Sequence, residues 1–123
     1  MVCVSGYKEL TVYRRSYKAA KAVYEMTESF PKEERYGITN QLKRASLSIP
    51  LNIAEGYAKR ESQEEFKRFL TMALGSSNEV LVLLDFSKDV GYISEITHSK
   101  VFAEYEEIAS MLNSFIQSIK GKI

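Results

Sequence analysis

Apolar residues recur along this chain at alternating three- and four-residue steps, the spacing of one face of an α-helix. These steps predict four helices, at approximately residues 9–29, 33–58, 62–89 and 94–120. No segment shows the strict alternation that predicts a β-strand, and every connection is short. Short links favour antiparallel neighbours, so the pattern predicts an all-α fold, an up-down-up-down four-helix bundle in which residues 1–123 form a single domain.

The apolar stripes of the four helices differ in how clearly a buried face is distinguished from a solvent-exposed one. The last comprises Val101, Tyr105, Ile108, Leu112, Phe115 and Ile119. The first comprises Leu10, Tyr13, Tyr17, Ala20, Tyr24 and Thr27, and its apolar arc is widened by Val12, Ala19, Val23, Met26 and Phe30. In the third helix, six of the seven residues from Val80 to Phe86 are apolar, so this segment is hydrophobic nearly all round. We therefore expect Met72, Val82, Leu83 or Phe86 to contribute to a subunit interface. Gly75, in mid-helix, would permit the close approach of a neighbouring helix.

The second helix carries a proline in the middle of its stripe. The stripe comprises Ile38, Leu42, Ala45, Ile49 and Ile53, and Pro50 interrupts it. Proline has no N–H and its ring crowds the carbonyl four residues earlier, which predicts a proline-kinked second helix. Ser46, Ser48 and Asn52 surround the break, and we expect their side chains to hydrogen-bond a freed carbonyl.

Helix ends are signalled by capping residues. Ser62 and Glu65 form the capping-box pattern, in which the serine accepts the N3 N–H and the glutamate reaches back to the N-cap N–H. Gly91 is expected to end the third helix, and Ser94 to cap the fourth.

Composition points to an ordinary soluble protein, with 45% hydrophobic and 27% charged residues. No run approaches the eighteen or so apolar residues of a membrane span, and the N-terminus lacks the pattern of a signal peptide, so a cytoplasmic protein with no membrane partner is predicted. Cys3, a lone cysteine that cannot form an intrachain disulfide, agrees with a reducing compartment.

The net charge of +1 conceals an asymmetry. Residues 1–60 hold 11 Lys and Arg against 6 Asp and Glu, whereas residues 61–123 hold 6 against 10. A chain of this kind suits either a polyanion or the stacking of its own copies through opposite faces, although plain solvated helix faces would give the same count.

No chemistry-bearing motif is complete. Glu95 and His98 have the Glu-x-x-His spacing of di-iron bundles, but such a site needs a second copy of the motif and His98 is the only histidine. Gly75 with its serines lacks the glycine spacing and lysine of a phosphate loop. The sequence therefore predicts no enzyme, no cofactor and no metal.

Several blocks along the chain match a known family: Tyr7–Tyr13, Phe30–Gly37, Gln41–Ala45, Ser48–Gly56, Phe66–Leu70 and Ala73–Ser77. With these blocks, nearly the whole chain resembles the four-helix-bundle proteins encoded in intervening sequences of bacterial 23S rRNA genes, some of which are labelled ribosomal proteins. The resemblance implies a homo-oligomer, a pentameric ring, with no established enzymatic reaction. The family is also similar to accessory proteins of diversity-generating retroelements, which form similar pentamers and bind nucleic acid and a reverse transcriptase.

Two sets of candidate residues follow. Basic residues flank the proline block and the helix 2–3 corner, and are candidates for binding RNA: Lys43, Arg44, Lys59, Arg60, Lys67 and Arg68. The candidates for an oligomer interface are Arg44, Ser48, Pro50, Asn52, Glu55, Met72, Val82, Leu83 and Phe86. For Arg44, Asn52 and Glu55 the interface role is favoured over phosphate contact.

The predicted function is a non-enzymatic homo-oligomeric scaffold or binding module whose partner is RNA or a nucleic-acid-processing protein. Two alternatives remain open at this point. One is an oligomer that binds only protein, and the other is a bundle that binds a metal or other ligand as an enzyme.

Overall fold

Four long α-helices make up most of the chain. A computed structural model describes residues 6–120, so Cys3 lies outside the described residues. The helices are α1 (Thr11–Met26), α2 (Ile38–Ala58), α3 (Gln63–Asp89) and α4 (Glu95–Lys120). Short 3₁₀ turns occupy Gly6–Glu9, Thr27–Ser29 and Lys32–Glu34. Residues 6–120 contain no strand, which confirms the all-α four-helix prediction.

Each helix packs against two others. α1 lies against α2 and α4, and α3 lies against the same two helices. α1 and α3 therefore occupy diagonal corners of the bundle. At the α1–α4 seam, the Arg15 guanidinium donates to both carboxylate oxygens of Glu104, at 3.0 and 2.8 Å.

The core is built mainly from aliphatic side chains, together with the aromatic residues Phe30, Phe66 and Tyr105. Its largest fully buried apolar members are Val23 from α1, Leu42, Ile49 and Ile53 from α2, Leu70, Val80 and Leu84 from α3, and Tyr105, Ile108 and Leu112 from α4. The predicted stripes of α2 and α4 supply most of these residues.

The buried face of α1 differs from the predicted one. Tyr17 is 50% exposed and Tyr24 is also exposed, whereas Ser16, Ala19 and Ala20 are buried. Small side chains let the backbone of α1 approach its neighbours closely, and the bulkier tyrosines then lie at the edge of the helix interface. The prediction that these two tyrosines are buried was wrong, because the helical spacing fits their side of the broad apolar arc as well as the side with Ala19 and Val23, and the second side is the buried one.

Helix ends follow the sequence closely, with one difference. α2 begins at Ile38 rather than near residue 33, because the backbone of Gly37 (φ −108°, ψ −120°) leaves helical geometry after the Lys32–Glu34 turn. Gly91 adopts φ +85°. Its N–H bonds to the Lys88 carbonyl at 3.0 Å, and the Tyr92 N–H bonds to the Ser87 carbonyl at 2.8 Å. This is the Schellman arrangement that favours glycine.

Both predicted serine caps form. Ser94 Oγ accepts the Thr97 N–H, and Ser62 Oγ accepts the Glu65 N–H, each at 3.1 Å. The reciprocal half of the capping box does not form, because the Glu65 carboxylate pairs with Arg68 and the Ser62 N–H bonds to the Lys59 carbonyl.

Loss of the Ser62 cap should destabilise the start of α3. Ser62→Ala is expected to lower the free energy of unfolding by about 1 kcal/mol, because it leaves the Glu65 N–H without its acceptor. Urea denaturation followed by circular dichroism measures the change. Ser62→Asp restores an acceptor and should retain most of the stability; equal losses in the two variants would contradict the capping role.

Candidate interaction surfaces

Four cationic residues flank the turn between α2 and α3. Lys59 and Arg60 follow the last residue of α2, and Lys67 and Arg68 lie in the second turn of α3. We call these four residues the basic corner.

Two aromatic rings support the basic corner. Lys59 Nζ lies 6.0 Å and Arg68 Cζ 4.5 Å from the centre of the Phe69 ring. Arg60 Cζ lies 4.0 Å from the centre of the Tyr57 ring. Cations held on aromatic faces have fewer rotamers to lose when they bind a ligand.

Carboxylates share the basic corner with the cations. Glu55 lies 3.5 Å from Lys59, and the Arg68 guanidinium donates to both oxygens of Glu65, at 3.2 and 3.1 Å. The hydrogen bond from Arg68 holds the pKa of the Glu65 carboxyl below its ordinary value. Both pairs are exposed, and solvent-screened pairs of this kind are weak, so a phosphate can compete for the cations.

The structure separates Lys43 and Arg44 from the basic corner. Arg44 lies fifteen residues before Lys59, the residue that follows the end of α2, so the two are separated by about 22 Å along the axis of α2. Lys43 Nζ instead lies 4.9 Å from the centre of the Tyr24 ring on α1. Arg44 lines a polar groove of about 310 Å³ between α2 and α3, opposite Glu79.

The polar residues around Pro50 connect α2 to α3. The Asn52 amide donates to both the carbonyl and the hydroxyl oxygen of Ser48, each at 2.9 Å, and the Ser48 hydroxyl lies 2.9 Å from that of Ser76. The Ser46 hydroxyl donates to the Lys43 carbonyl. None of these bonds reaches the Ser46 carbonyl that proline leaves without its donor, so the expected repair of the helix by these side chains was wrong.

The other interface candidates of α2 are engaged within the subunit. Pro50 is buried in the bundle, and its predicted kink stays a prediction. Glu55 pairs with Lys59, one turn away on the same helix.

Two apolar surfaces remain uncovered. On α3, Val82 is 67% and Phe86 56% exposed, and Met72 is exposed beside them, while Leu83 is half-buried against the core. Between α1 and α2 lies an apolar groove of about 410 Å³, formed by Tyr17, Ala20, Lys21, Tyr24, Glu25 and Leu47. Sequence reasoning missed this α1–α2 groove. The signal that marks it is the run of small residues on α1, which moves the tyrosines to the surface.

α3 is also apolar enough to resemble a membrane span by length and composition. Its most apolar window of 18 residues has a mean hydropathy of 1.3, and 28% of that window is buried. The core helix of a soluble protein passes the same test, so the observation is weak evidence for a membrane.

The Glu-x-x-His pair does not assemble a metal centre. His98 Nε2 lies 2.8 Å from Asp85 Oδ1, and the ring stacks on Phe102 at 5.0 Å. Among residues 6–120, no group of three or more His, Cys, Asp or Glu side chains is placed to hold a metal ion.

These features define a class: an all-α four-helix bundle with a cation-bearing corner and two uncovered apolar surfaces. Residues 8–114 match the model of the 23S rRNA-intervening sequence protein family, and the chain belongs to that family. No curated protein matches the chain.

A solved structure shares the fold. It is the crystal structure of a protein of unknown function from the S23 ribosomal protein family of Bacteroides thetaiotaomicron. Its TM-score is 0.77 at 24% sequence identity, over 86% of this chain and 98% of that chain. Likeness at this level of identity shows the fold alone.

Proposed function

We propose that this protein is a non-enzymatic scaffold that assembles into a closed homo-oligomer and binds RNA through the basic corner of each copy. The family resemblance implies five subunits. The observation that carries the RNA proposal is the placement of Lys59, Arg60 and Arg68 on the Tyr57 and Phe69 rings.

Repetition of the basic corner on every subunit increases the affinity of the oligomer for RNA. A single corner offers four cations, of which Lys59 and Arg68 already face carboxylates. In a ring the same corner recurs on every subunit, and contacts made to one RNA chain become intramolecular after the first. Each phosphate neutralised also releases condensed counterions, which adds affinity at low salt.

A second candidate function is an oligomer that contacts only protein. The carboxylates Glu55, Glu61, Glu64 and Glu65 favour it, because they offset the four cations between residues 55 and 68. RNA binding by the intact protein distinguishes the two functions.

The RNA proposal predicts that the affinity for RNA falls steeply with salt concentration and that the four cations of the basic corner cause this dependence. A variant with four substitutions in the basic corner should bind fluorescent poly(U) at low salt at least tenfold more weakly than the wild-type protein. The substitutions are Lys59→Gln, Arg60→Gln, Lys67→Gln and Arg68→Gln. Fluorescence anisotropy over a salt series gives the slope of log K against log salt. That slope should fall in magnitude by about 0.7 for each phosphate that the variant no longer neutralises.

A variant matched in charge serves as the control. It removes four positive charges that lie outside the basic corner and should retain most of the affinity for poly(U). The substitutions are Lys32→Gln, Arg35→Gln, Lys88→Gln and Lys100→Gln. Absence of poly(U) binding by the wild-type protein at low salt, or equal losses in the two variants, would overturn the proposal. Light scattering on the same samples should give a multiple of the 14.0 kDa chain mass, about 70 kDa for a five-membered ring.

A further inference from the structure

We propose that the outward face of α3 in one copy docks into the α1–α2 groove of the next copy, so that the oligomer is built from one repeated head-to-tail contact. This inference rests on the proposed self-association and specifies its interface. The α3 face consists of Met72, Gly75, Glu79, Val82 and Phe86.

The spacing of the α3 face is that of a helix-packing seam. Its residues follow one another at steps of three, four, three and four, and all five are exposed. This is the repeat by which one helix packs along a neighbour. The seam's three large apolar members, Met72, Val82 and Phe86, are 44%, 67% and 56% exposed, so the bundle leaves the seam uncovered. A contiguous exposed face of this kind marks an interaction surface.

Gly75 gives a second, independent observation on the same face. A Cβ atom built at Gly75 would meet no atom within 4 Å, so nothing in its own subunit requires glycine there. Glycine in a helix interior costs about 1 kcal/mol relative to alanine. A backbone from another copy that approaches the middle of the seam accounts for the missing side chain.

The α1–α2 groove provides an apolar counterpart. Tyr17, Tyr24 and Leu47 form its walls, Ala20 also lines it, and Leu51 lies exposed one turn beyond Leu47. Tyrosines are well suited to such a surface, since they bury a large apolar ring and can keep the hydroxyl in water.

Charge complements the two surfaces. Lys21 lines the groove, and Lys43 lies over the Tyr24 ring at its edge, against the single carboxylate of Glu25. The α3 face contains Glu79, which also borders the polar groove that Arg44 lines, and Asp85 lies next to this face, 2.8 Å from His98 Nε2. Opposite charges at the rim of an apolar contact set its orientation.

The positions of the two surfaces determine the symmetry of the contact. α1 and α3 occupy diagonal corners, so the groove and the seam are different patches on different sides of one subunit. A contact between unlike patches is heterologous, and it generates a ring when the rotation closes. A bilayer suits the α3 face less well, because Glu79 and Asp85 would each cost about 3 kcal/mol near the membrane centre.

Single substitutions on either surface test the contact. Phe86→Glu and Leu47→Glu should each convert the oligomer to a species of 14.0 kDa in light scattering, with the helical circular dichroism unchanged because both side chains are exposed. Ile96→Glu is the matched control, since Ile96 is 76% exposed but belongs to neither surface, and this variant should remain oligomeric.

Mixing the two monomeric variants tests the head-to-tail arrangement directly. The Phe86→Glu subunit keeps an intact groove and the Leu47→Glu subunit keeps an intact α3 face, so an equimolar mixture should form capped one-to-one dimers of about 28 kDa. A mixture that stays monomeric would mean that the α3 face and the groove do not bind each other, and a dimer formed by either variant alone would mean that like patches pair; either result would overturn the inference.

The remaining outcomes separate this inference from the proposed function. A monomeric wild-type protein would defeat both the self-association and the interface. A wild-type oligomer that survives Phe86→Glu and Leu47→Glu would defeat only the interface. Co-sedimentation of the wild-type protein, but not Phe86→Glu, with phosphatidylcholine and phosphatidylglycerol vesicles would assign the α3 face to a membrane and overturn the docking proposal.

Discussion

Gly56→Ala is expected to lower the free energy of unfolding by about 1–3 kcal/mol, the range for overpacking a closely packed site. Gly56 is buried where α2 crosses α3. A Cβ atom there would lie 2.9 Å from the Phe69 Cβ and 3.3 Å from both the Phe66 carbonyl oxygen and its ring. The Phe69 Cβ and the Phe66 carbonyl are held by the α3 backbone, so the clash is relieved only by moving the two helices apart.

The same substitution at Gly75 should have the opposite sign. Nothing lies within 4 Å of the added Cβ, and alanine is the better helix former, so Gly75→Ala should raise the free energy of unfolding of the isolated subunit by about 1 kcal/mol. Urea titrations in the Phe86→Glu variant, which is expected to be monomeric, keep association out of both measurements. Equal shifts for the two substitutions would show that helix propensity, rather than the α2–α3 crossing, governs Gly56.

The opposite effects expected at Gly56 and Gly75 show which features a sequence pattern predicts and which it does not. Period 3.6 predicted four helices, and serine or glycine at their ends predicted where α3 begins and ends and where α4 begins, because caps are local interactions between residues a few positions apart. The closeness of Gly56 to α3 depends on how two helices cross. That information is absent from either helix alone.

The two apolar surfaces differ in the same way: the pattern of one helix predicts the first, whereas the second depends on how helices pack. The exposed apolar face of α3 was predicted, because a helix that is hydrophobic nearly all round exceeds what one bundle can bury. The α1–α2 groove was not predicted, because Tyr17 and Tyr24 fit an apolar stripe as well as the true buried face of α1 does. Only the packed structure shows that Ser16 lies inside while the two tyrosines lie at the surface.

The basic corner was predicted from charge alone, yet its ion pairs were not. Glu65 satisfies the capping-box pattern and also lies one turn before Arg68, so two local interactions compete for one carboxylate. In the structure, the Glu65 carboxylate accepts hydrogen bonds from Arg68. A sequence motif of this kind predicts the helix start more reliably than it predicts the partner of each side chain.

Tyr105 is the largest of three residues whose buried side-chain oxygen has no hydrogen-bond partner among the described residues, the others being Thr39 and Ser87. The Tyr105 side chain is fully buried. Burial, with a smaller contribution from the nearby Glu104 carboxylate, raises the pKa of the Tyr105 phenol well above its ordinary value of 10.0. The folded protein therefore holds this proton at a pH where the unfolded chain releases it.

Tyr105→Phe is expected to stabilise the protein by about 1 kcal/mol at pH 7, because it removes a buried hydroxyl that makes no hydrogen bond. The advantage should grow in alkali. The free energy of unfolding of the wild-type protein is unaffected by this phenol below pH 10 and falls as the pH rises above it, since the unfolded state then binds fewer protons than the folded state. Each further pH unit should therefore add about 1.4 kcal/mol to the difference between variant and wild type, up to the raised pKa.

Guanidinium denaturation at pH 7, 9, 11 and 12 measures this difference, with Tyr36→Phe as the control. Tyr36 is 85% exposed, so removal of its hydroxyl should change stability little at neutral pH, and the comparison controls for the loss of a phenol as such. A Tyr105→Phe advantage that stays constant from pH 9 to pH 12 would show that the phenol reaches water or a partner in the folded state. The bundle centre would then open on the timescale of proton exchange, and the core around Tyr105 would be less tightly closed than its complete burial indicates.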